Sequence, residues 1–432
     1  MSSVPERFIA FLEKLGYLDA SSPGKLKGNT FTYPIEIIDP DLPAACNKPL
    51  DIDYVYTPPP IRDSIFKSHS DYWNRNNVNV FIAVSDDNSY IINAREKPNE
   101  DNPLDNKINI KTFDYGINSE GFDEDNLKEI LKESIDSSYF FDFVIKNQKS
   151  VHEVDKDLLL NLIALRNDLA AAGNENIVHL LILRCLFIKY LEDRKIYEEK
   201  YLLDILNSKS AGRLFQAFDE IRKINGDIFK EDNLTVNDIK PAYIEKLAKF
   251  FSCDYRSDQR KLFPYQFDKI PVQLISNVYE AFLKSSEKKE KGIFYTPSFI
   301  VDFMLSHTSI EKSADNPNAA ILDPACGSGV FLVESFKKII GSLPVKPGFE
   351  EKKKILETRL FGIDIDRNAL QIAAFSLYLA LLETEDPGFI RDRIEHAHPI
   401  LPDLIGKTLI AGNALTDDDI FKDKKFAYIV SN

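Results

Sequence analysis

The chain has 432 residues, of which 44% are hydrophobic and 28% charged, and its formal net charge is −14 at pH 7. Its length and composition are those of a globular protein of more than one domain, without a membrane helix or a secretory signal. The acidic charge argues against DNA binding over most of the surface, although it allows a local basic cleft.

The N-terminal block, residues 1–150, mixes strand-like runs with polar loops and predicts an α+β domain. Apolar residues at helical spacing predict a helix over residues 8–15. Residues 78–84 and 90–92 predict two strands joined by a polar turn. Residues 96–109 are rich in Asn, Asp and Pro, which predicts a surface loop.

The central block, residues 151–290, is predicted to be a helical domain. Apolar residues occupy nearly every face of residues 177–191, so this helix should be largely buried. Residues 275–282 have the spacing of a helix with one buried face. The charged run at residues 285–291 predicts a linker.

The C-terminal block, residues 291–432, alternates short apolar strands with helices. The predicted strands occupy residues 320–322, 360–363, 409–411 and 426–430. The predicted helices occupy residues 330–340 and 368–382. This alternation implies a parallel sheet covered on both faces, as in a Rossmann-like α/β domain.

A glycine-rich turn, Asp323-Pro324-Ala325-Cys326-Gly327-Ser328-Gly329, lies between the first of these strands and the helix after it. Glycines allow a tight turn and a close approach of the backbone to a ligand. The helix that follows offers free N–H groups to a carboxylate or phosphate. A turn without a ligand is the alternative, but the strand-turn-helix context favours a ligand site.

Polar residues also follow the next two strands. Asp364 suits the ribose of a nucleotide, because its two oxygens can accept hydrogen bonds from both hydroxyls, whereas Asp366 suits a helix N-cap. Asn413, in Gly412-Asn413-Ala414-Leu415, is placed to reach the adenine ring of a cofactor. Alone, this last segment predicts only a turn.

With these motifs in this order, the chain resembles the N6-adenine DNA methyltransferases whose cofactor motifs come first, among them type I modification subunits and type IIG restriction-modification enzymes. Gly292 to Pro297 (GIFYTP) matches the segment that opens the family's catalytic domain. Leu186 to Arg194 and Ile270 to Glu280 resemble its helical segments, so the resemblance covers roughly residues 160–432. It implies a class I methyltransferase domain, incomplete here, that uses S-adenosylmethionine to methylate an adenine flipped out of double-stranded DNA.

The resemblance also implies which residues contact the cofactor. They are Tyr295, Thr296, Pro297, Asp323, Ala325, Gly327, Gly329, Phe331, Asp364 and Asn413. Asp323 and the two glycines would shape the methionine pocket, with the ribose at Asp364 and the adenine at Asn413. The cysteines at positions 46, 185, 253 and 326 lack metal-ligand or disulfide spacing, so we expect no metal, buried free thiols and a cytoplasmic protein.

The family's catalytic tetrad is Asn, Asp or Ser, followed by Pro, Pro and an aromatic residue. Asn432 matches its first position and is the expected catalytic residue. In this chemistry the Asn oxygen and a proline carbonyl hold the adenine amine toward the methyl donor, and the aromatic ring stacks on the base. We expect either a fragment, which we favour, or a domain completed by a second polypeptide, and expect this chain alone to be inactive.

In fused enzymes of this family, a nuclease domain often precedes the helical block, with metal-binding acids near a D/E-x-K motif. Asp105-Asn106-Lys107 has the spacing but lies in a predicted loop, and Glu96-Lys97 lacks the intervening residue. Asp51 and Asp53 are acids without a clear partner. Charged residues of solvated loops would give the same pattern. The N-terminal domain is therefore either a degenerate nuclease or a structural or protein-contact domain.

The leading hypothesis is a site-specific adenine methyltransferase of a restriction-modification or phage-defence system. A non-catalytic cofactor-binding scaffold or regulatory subunit is one alternative. An endonuclease fused to a methyltransferase is the other.

Overall fold

The structure is a computed structural model that describes residues 4–18, 24–35, 50–136, 153–170, 175–222, 234–256, 264–272, 298–396, 398–417 and 419–431. The chain divides into two compact units, residues 1–157 and 158–432. Among the described residues, no helix has both the length and the apolar character needed to span a membrane. The finer division at residues 150 and 290 stays a prediction.

The N-terminal unit contains a six-stranded sheet with the order β1-β2-β3-β4-β5-β6, in which only β3 and β4 pair in parallel. The strands are β1 Lys25–Lys27, β2 Thr30–Ile35, β3 Leu50–Tyr56, β4 Val80–Val84, β5 Ser89–Asn93 and β6 Asn109–Phe113. The helices are α1 Val4–Lys14, α2 Ile61–Arg75, α3 Glu124–Leu127 and α4 Lys132–Asp136. Helix α2 provides the crossover that a parallel strand pair requires. The predicted helix at 8–15 and the two predicted strands are confirmed as α1, β4 and β5.

Strands β4 and β5 are buried at every residue, because apolar clusters cover both faces of the sheet. Phe8 and Phe11 of α1 contribute to the cluster on one face. Ile65 and Tyr72 of α2 contribute to the cluster on the other. Burial on both faces explains why β4 reads as a continuous apolar run rather than an alternating one.

The C-terminal unit begins with a helical region. Its helices are α5 Val154–Ala170, which starts in the first unit, α6 Glu175–Asp193, α7 Tyr201–Asn207, α8 Ala211–Arg222 and α9 Pro241–Ser252. Helix α6 is buried over most of residues 181–191, which confirms the buried helix predicted there. The predicted helix at 275–282 and linker at 285–291 lie outside the described residues.

The rest of this unit is built on a four-stranded parallel sheet with the order β10-β7-β8-β9, which confirms the predicted parallel sheet. The strands are β7 Ile321–Asp323, β8 Leu360–Asp364, β9 Leu409–Ala411 and β10 Tyr428–Ile429. The helices are α10 Ser298–Ser306, α11 Val330–Ser342, α12 Phe349–Thr358, α13 Arg367–Leu382 and α14 Pro387–Glu395. Since the strands are parallel, the loops that follow β7, β8 and β9 meet at one edge of the sheet.

The structure also tests the predicted length of the last strand and the predicted state of the cysteines. Strand β10 is shorter than the predicted 426–430. The ring of Phe426, just before the strand, packs against the rings of Phe361 and Phe421, at centroid distances of 5.4 and 5.8 Å. The expectation of buried free thiols is confirmed for three cysteines, at positions 185, 253 and 326. The fourth, at position 46, lies outside the described residues.

Candidate cofactor site

The glycine-rich loop after β7 folds back onto β8. Gly327 and Gly329 have φ values of +51° and +81°, in the left-handed region that favours glycine. The Cys326 N–H donates to the Ile363 carbonyl at 2.9 Å, and the Gly329 N–H donates to the Cys326 carbonyl at 2.7 Å. The loop is therefore held by backbone hydrogen bonds both to the neighbouring strand and within itself.

Two glycines also let the loop pack closely on its neighbours. A Cβ added to Gly329 would lie 3.0 Å from Cβ of Ala373 in α13. A Cβ added to Gly362 in β8 would lie 2.8 Å from Sγ of Cys326. Larger residues at these positions would push the loop away from α13 or from the sheet.

Asp364 lies at the carboxyl end of β8 and is half-buried. Its Oδ2 accepts the Gly327 N–H at 2.9 Å, and its Oδ1 accepts the Asp366 N–H, also at 2.9 Å. A carboxylate offers about four lone-pair sites, so these two bonds leave capacity for donors from a ligand. The prediction that Asp366 is a helix N-cap is confirmed, since its side chain accepts the Asn368 N–H at the start of α13.

Asp323 is the buried acid of the site, with 1% of its surface exposed. Its carboxylate accepts the Ala325 N–H at 3.1 Å. Burial raises the pKa of Asp323 to about 7. Hydrogen bonds from the Ala325 N–H and the Ser431 side chain lower this pKa, and the nearby charge of Asp364 raises it. Asp323 is therefore poised to change its charge near neutral pH.

The loop after β9 joins the same edge of the sheet. The Gly412 N–H donates to the Asp364 carbonyl at 3.0 Å. Asn413 forms a turn in which its Oδ1 accepts the Leu415 N–H at 3.0 Å, while its own N–H donates to the Asp417 carboxylate at 2.8 Å. The Asn413 side-chain NH₂ is thus the part of this residue suited to meet a ligand.

Two exposed apolar side chains flank these polar groups, and the sequence reasoning did not identify them. Ile365 follows Asp364 directly and is 78% exposed, and Leu415 lies two residues after Asn413 and is 93% exposed. Exposed apolar side chains beside convergent polar groups are typical of binding sites for flat rings. An apolar residue directly after a strand-end acid was the available sequence signal.

The structure thus brings Asp323, Ala325, Gly327, Asp364 and Asn413 to one edge of the sheet, while Gly329 fixes the loop against α13. Of the predicted site residues, Tyr295, Thr296, Pro297 and Asn432 lie outside the described part of the chain.

Phe331, in the first turn of α11, is 2% exposed and presents almost no surface to a ligand, so its predicted contact stays a prediction. The parts of the chain that the structure describes contain no group of three or more His, Cys, Asp or Glu side chains able to hold a metal.

The acids of the N-terminal unit have other partners. Asp53 in β3 accepts hydrogen bonds from the hydroxyls of Thr32 and Tyr72. Asp105 accepts the N–H groups of Lys107 and the residue after it, and therefore shapes its own turn. Lys97 pairs with Asp157 at 2.7 Å. The side chain of Asp51 lies outside the described part, and the nuclease hypothesis stays untested.

The family of the C-terminal part follows from comparison with known proteins. Residues 272–432 match the model of the N-6 DNA methylase family. Over this segment the chain is similar to the N6-adenine DNA methyltransferases. The matched segment includes the glycine-rich loop, Asp364 and Asn413.

Comparison with individual proteins also finds methyltransferases. A type II restriction enzyme and methyltransferase of Escherichia coli is 25% identical over 346 residues, covering 69% of this chain and 33% of its own length. An adenine-specific methyltransferase of Escherichia coli O9:H4 (strain HS) is 33% identical over 70 residues, which are 16% of this chain and 6% of that protein. The chain spans about a third of the length of the first of these relatives.

Among solved structures, a type IIL restriction-modification enzyme in complex with DNA aligns with 62% of this chain and 41% of its own, at 17% identity and a TM-score of 0.43.

Proposed function

We propose that the chain contains the cofactor-binding part of a site-specific DNA methyltransferase, which transfers a methyl group from S-adenosylmethionine to adenine N6 in a restriction-modification or phage-defence system. The observation that supports this most is the hydrogen bond from the Gly327 N–H to the Asp364 carboxylate. It joins the two motifs of the proposed cofactor site at the carboxyl edge of a parallel sheet, the edge at which α/β folds bind nucleotides.

The side chains at this edge fit each part of the cofactor. The remaining lone pairs of Asp364 suit the two ribose hydroxyls. Ile365 and Leu415 offer apolar surface to the adenine, and the Asn413 NH₂ offers a donor to a ring nitrogen. The Asp364 carboxylate provides negative charge for a ligand that carries ammonium and sulfonium cations, and Asp323 adds to this charge in its ionised form.

When bound, S-adenosylmethionine supplies a methyl group made electrophilic by the adjacent sulfonium. The residues of this chain bind and orient that ligand: the glycine-rich loop holds its amino-acid end and Asp364 its ribose. Asn432, at the family's tetrad position, is the residue we propose to accept a hydrogen bond from adenine N6 and orient the amine lone pair. Double-stranded DNA with a flipped adenine is the proposed substrate.

The first test is calorimetric titration of the full chain with S-adenosylmethionine. Asp364→Ala should weaken binding by about 1–3 kcal/mol, the usual effect of removing a charged hydrogen-bond partner. Asp392→Ala is the matched control, because Asp392 is an exposed aspartate on α14. No binding by the unmodified chain, or equal affinity in the Asp364→Ala variant, would contradict the proposed site.

A methyl-transfer assay on adenine-containing duplex DNA tests the reaction itself. We expect this chain alone to bind S-adenosylmethionine without methyl transfer. In a domain completed by the Pro, Pro and aromatic residues of the tetrad, transfer that is lost in Asn432→Ala, with cofactor affinity unchanged, would support the proposed catalytic role of this residue. Transfer that persists in that variant would remove Asn432 from the reaction.

A further inference from the structure

Helix α13 begins beside the candidate site and is buried on nearly every face from Ala369 to Leu382. It packs against β8 and β9, and two side chains of α6 in the helical region also contact it. The ring of Phe187 in α6 meets that of Phe375 in an edge-on arrangement, with the centroids 6.0 Å apart. The Tyr190 hydroxyl, also in α6, donates to the Leu379 carbonyl at 3.3 Å. Helix α6 therefore helps to hold α13 in place.

Arg194, the residue after α6, binds the carboxyl end of α13. Its guanidinium donates to the carbonyl oxygens of Leu382 at 3.0 Å and Glu385 at 2.8 Å, and also to that of Glu383. The last carbonyls of a helix lack partners within the helix and carry a partial negative charge. One planar cation with five N–H donors binds the last carbonyl of α13, that of Leu382, together with two carbonyls just beyond the helix end.

A second arginine makes a similar contact in the opposite direction. Arg391 of α14 donates to the carbonyls of Ile196, at 3.1 Å, and Lys195 in the turn that follows α6. Lys195 has a φ of +59°, so this turn is held in a left-handed conformation that is uncommon for a residue with a side chain. The helical region and the α13–α14 corner are thus joined by two arginines, each bound to the backbone of the other part.

The middle of α13 supports the glycine-rich loop. Gly329 lies so close to Ala373 that an added Cβ would come within 3.0 Å of its Cβ. The Ser376 hydroxyl lies 3.0 Å from the Ser328 carbonyl and 2.7 Å from the Ile372 carbonyl, and it can donate its hydrogen to either. With a rise of 1.5 Å per residue, about 14 Å of continuous helix separates Ala373 from Leu382. A shift of α13 along its axis would move the surface on which the loop rests.

We propose that Arg194 and Arg391 are positioning residues. Arg194 fixes α13 along its axis directly and Arg391 does so through the α13–α14 corner, so together they set the position of the cofactor loop and the helical region controls cofactor affinity from a distance. This inference rests on the proposed function, because the ligand whose affinity it concerns is S-adenosylmethionine. The coupling passes through a packed helix rather than through direct contact with the ligand.

The test compares Arg194→Ala with the unmodified full chain in calorimetric titrations with S-adenosylmethionine, at a temperature where circular dichroism shows both to be folded. The variant should bind roughly 3- to 30-fold more weakly, the usual range for coupling through a packed network. Arg194→Lys should recover only part of the loss, since an ammonium lacks the planar fork. Arg213→Ala, at an exposed arginine of α8, is the matched control and should bind normally.

A second readout does not depend on the cofactor. Hydrogen exchange of the amides of Cys326 and Gly329 should become faster in Arg194→Ala, since both are hydrogen-bonded in the loop. Arg391→Ala should show the same two effects, and it replaces Arg194→Ala if that variant does not fold.

The outcomes separate the two proposals. An unmodified chain that does not bind S-adenosylmethionine would contradict the proposed function, whereas the exchange experiment would still test the positioning role. Unchanged affinity and unchanged loop exchange in a folded variant with a lower melting temperature would leave the arginines with a stabilising role only, and would overturn the inference.

Discussion

The two sheets each hold a carboxylate, yet only one of these groups is suited to bind a ligand. Asp53 lies within β3, and its two oxygens accept the Thr32 hydroxyl at 2.6 Å and the Tyr72 hydroxyl at 2.5 Å. Asp364 lies at the end of β8, and its oxygens accept backbone N–H groups of two loops. An acid inside a strand is closed off by neighbouring side chains, whereas an acid at a parallel strand end organises the loops around it and keeps acceptor capacity for a ligand.

The two units also bury titratable groups whose effects on stability have opposite pH dependence. The N-terminal unit buries His69, and burial lowers its pKa to about 4. The C-terminal unit buries Asp323, and burial raises its pKa to about 7. Burial disfavours the charged form in both cases, so acid should weaken the first unit through His69 and base should weaken the second through Asp323.

The largest predicted effect is that of Asp323→Asn. The folded chain holds the Asp323 proton up to pH of about 7, whereas the unfolded chain loses it near pH 4, so this group's contribution to stability falls as pH rises through that interval. At pH 8 the variant should unfold with a free energy higher by up to about 4 kcal/mol, since the charge is no longer buried. At pH 4 the difference should be near zero.

The measurement is urea unfolding at pH 4 and pH 8. Circular dichroism follows the helix-rich C-terminal unit, while the fluorescence of Trp73, the one tryptophan in the chain, follows the N-terminal unit. The fluorescence transition should be the same with and without the substitution. An equal change at both pH values would show that the effect comes from packing rather than from the buried charge.

The sequence was most informative where local chemistry determines the backbone. The glycine-rich loop needs φ values above zero at Gly327 and Gly329, and Asp366 caps α13 through its own side chain. The loop and the helix cap each depend on residues that are close together in the chain, so both could be predicted from the sequence. The parallel sheet followed for a related reason, because short apolar strands alternate with helices.

What the sequence did not predict depends on contacts between distant residues. Strand β3 carries acids at positions 51 and 53 and therefore lacks a clean apolar pattern, and Asp53 is accommodated only because Thr32 and Tyr72 supply hydroxyls. The role of Arg194 was equally hidden, since its partners lie about 190 residues later in the chain. Helix α12 was missed because its lysines and glutamates give a weak apolar stripe.

The second prediction concerns His69 in the N-terminal unit. Burial lowers the pKa of this ring, and hydrogen bonds to the backbone of Glu96 and Asn93 raise it. The unfolded chain therefore binds the proton more tightly, and this contribution to stability is lost as pH falls from about 6.5 toward 4. Between pH 7 and pH 5 we expect a loss of about 2 kcal/mol.

Trp73 fluorescence during urea unfolding at several pH values measures this loss. In His69→Gln the difference between pH 7 and pH 5 should shrink by that amount, because the side chain no longer titrates. His307→Gln, at an exposed histidine of the other unit, should leave the fluorescence transition unchanged. The same pH dependence in all three proteins would mean that His69 does not carry the effect.

The smallest predicted effect tests the assignment of Asp53 to the core. Tyr72→Phe removes the hydroxyl that donates to Asp53 and keeps the ring stacked on Phe81, with centroids 4.5 Å apart. The loss of one partner from a buried carboxylate should lower the free energy of unfolding by about 1–2 kcal/mol, measured by Trp73 fluorescence. Tyr115→Phe is the matched control, because its buried hydroxyl has no hydrogen-bond partner among the described residues.

Tyr72→Phe and Asp364→Ala together test the comparison between Asp53 and Asp364. If Asp53 serves only the core of its sheet, Tyr72→Phe should bind S-adenosylmethionine as the unmodified chain does, whereas Asp364→Ala should not. A loss of cofactor affinity in Tyr72→Phe as large as that in Asp364→Ala would show that the two sheets are not separate in function. An unchanged stability in Tyr72→Phe would instead show that Asp53 is reached by water and is not closed off by its hydroxyl partners.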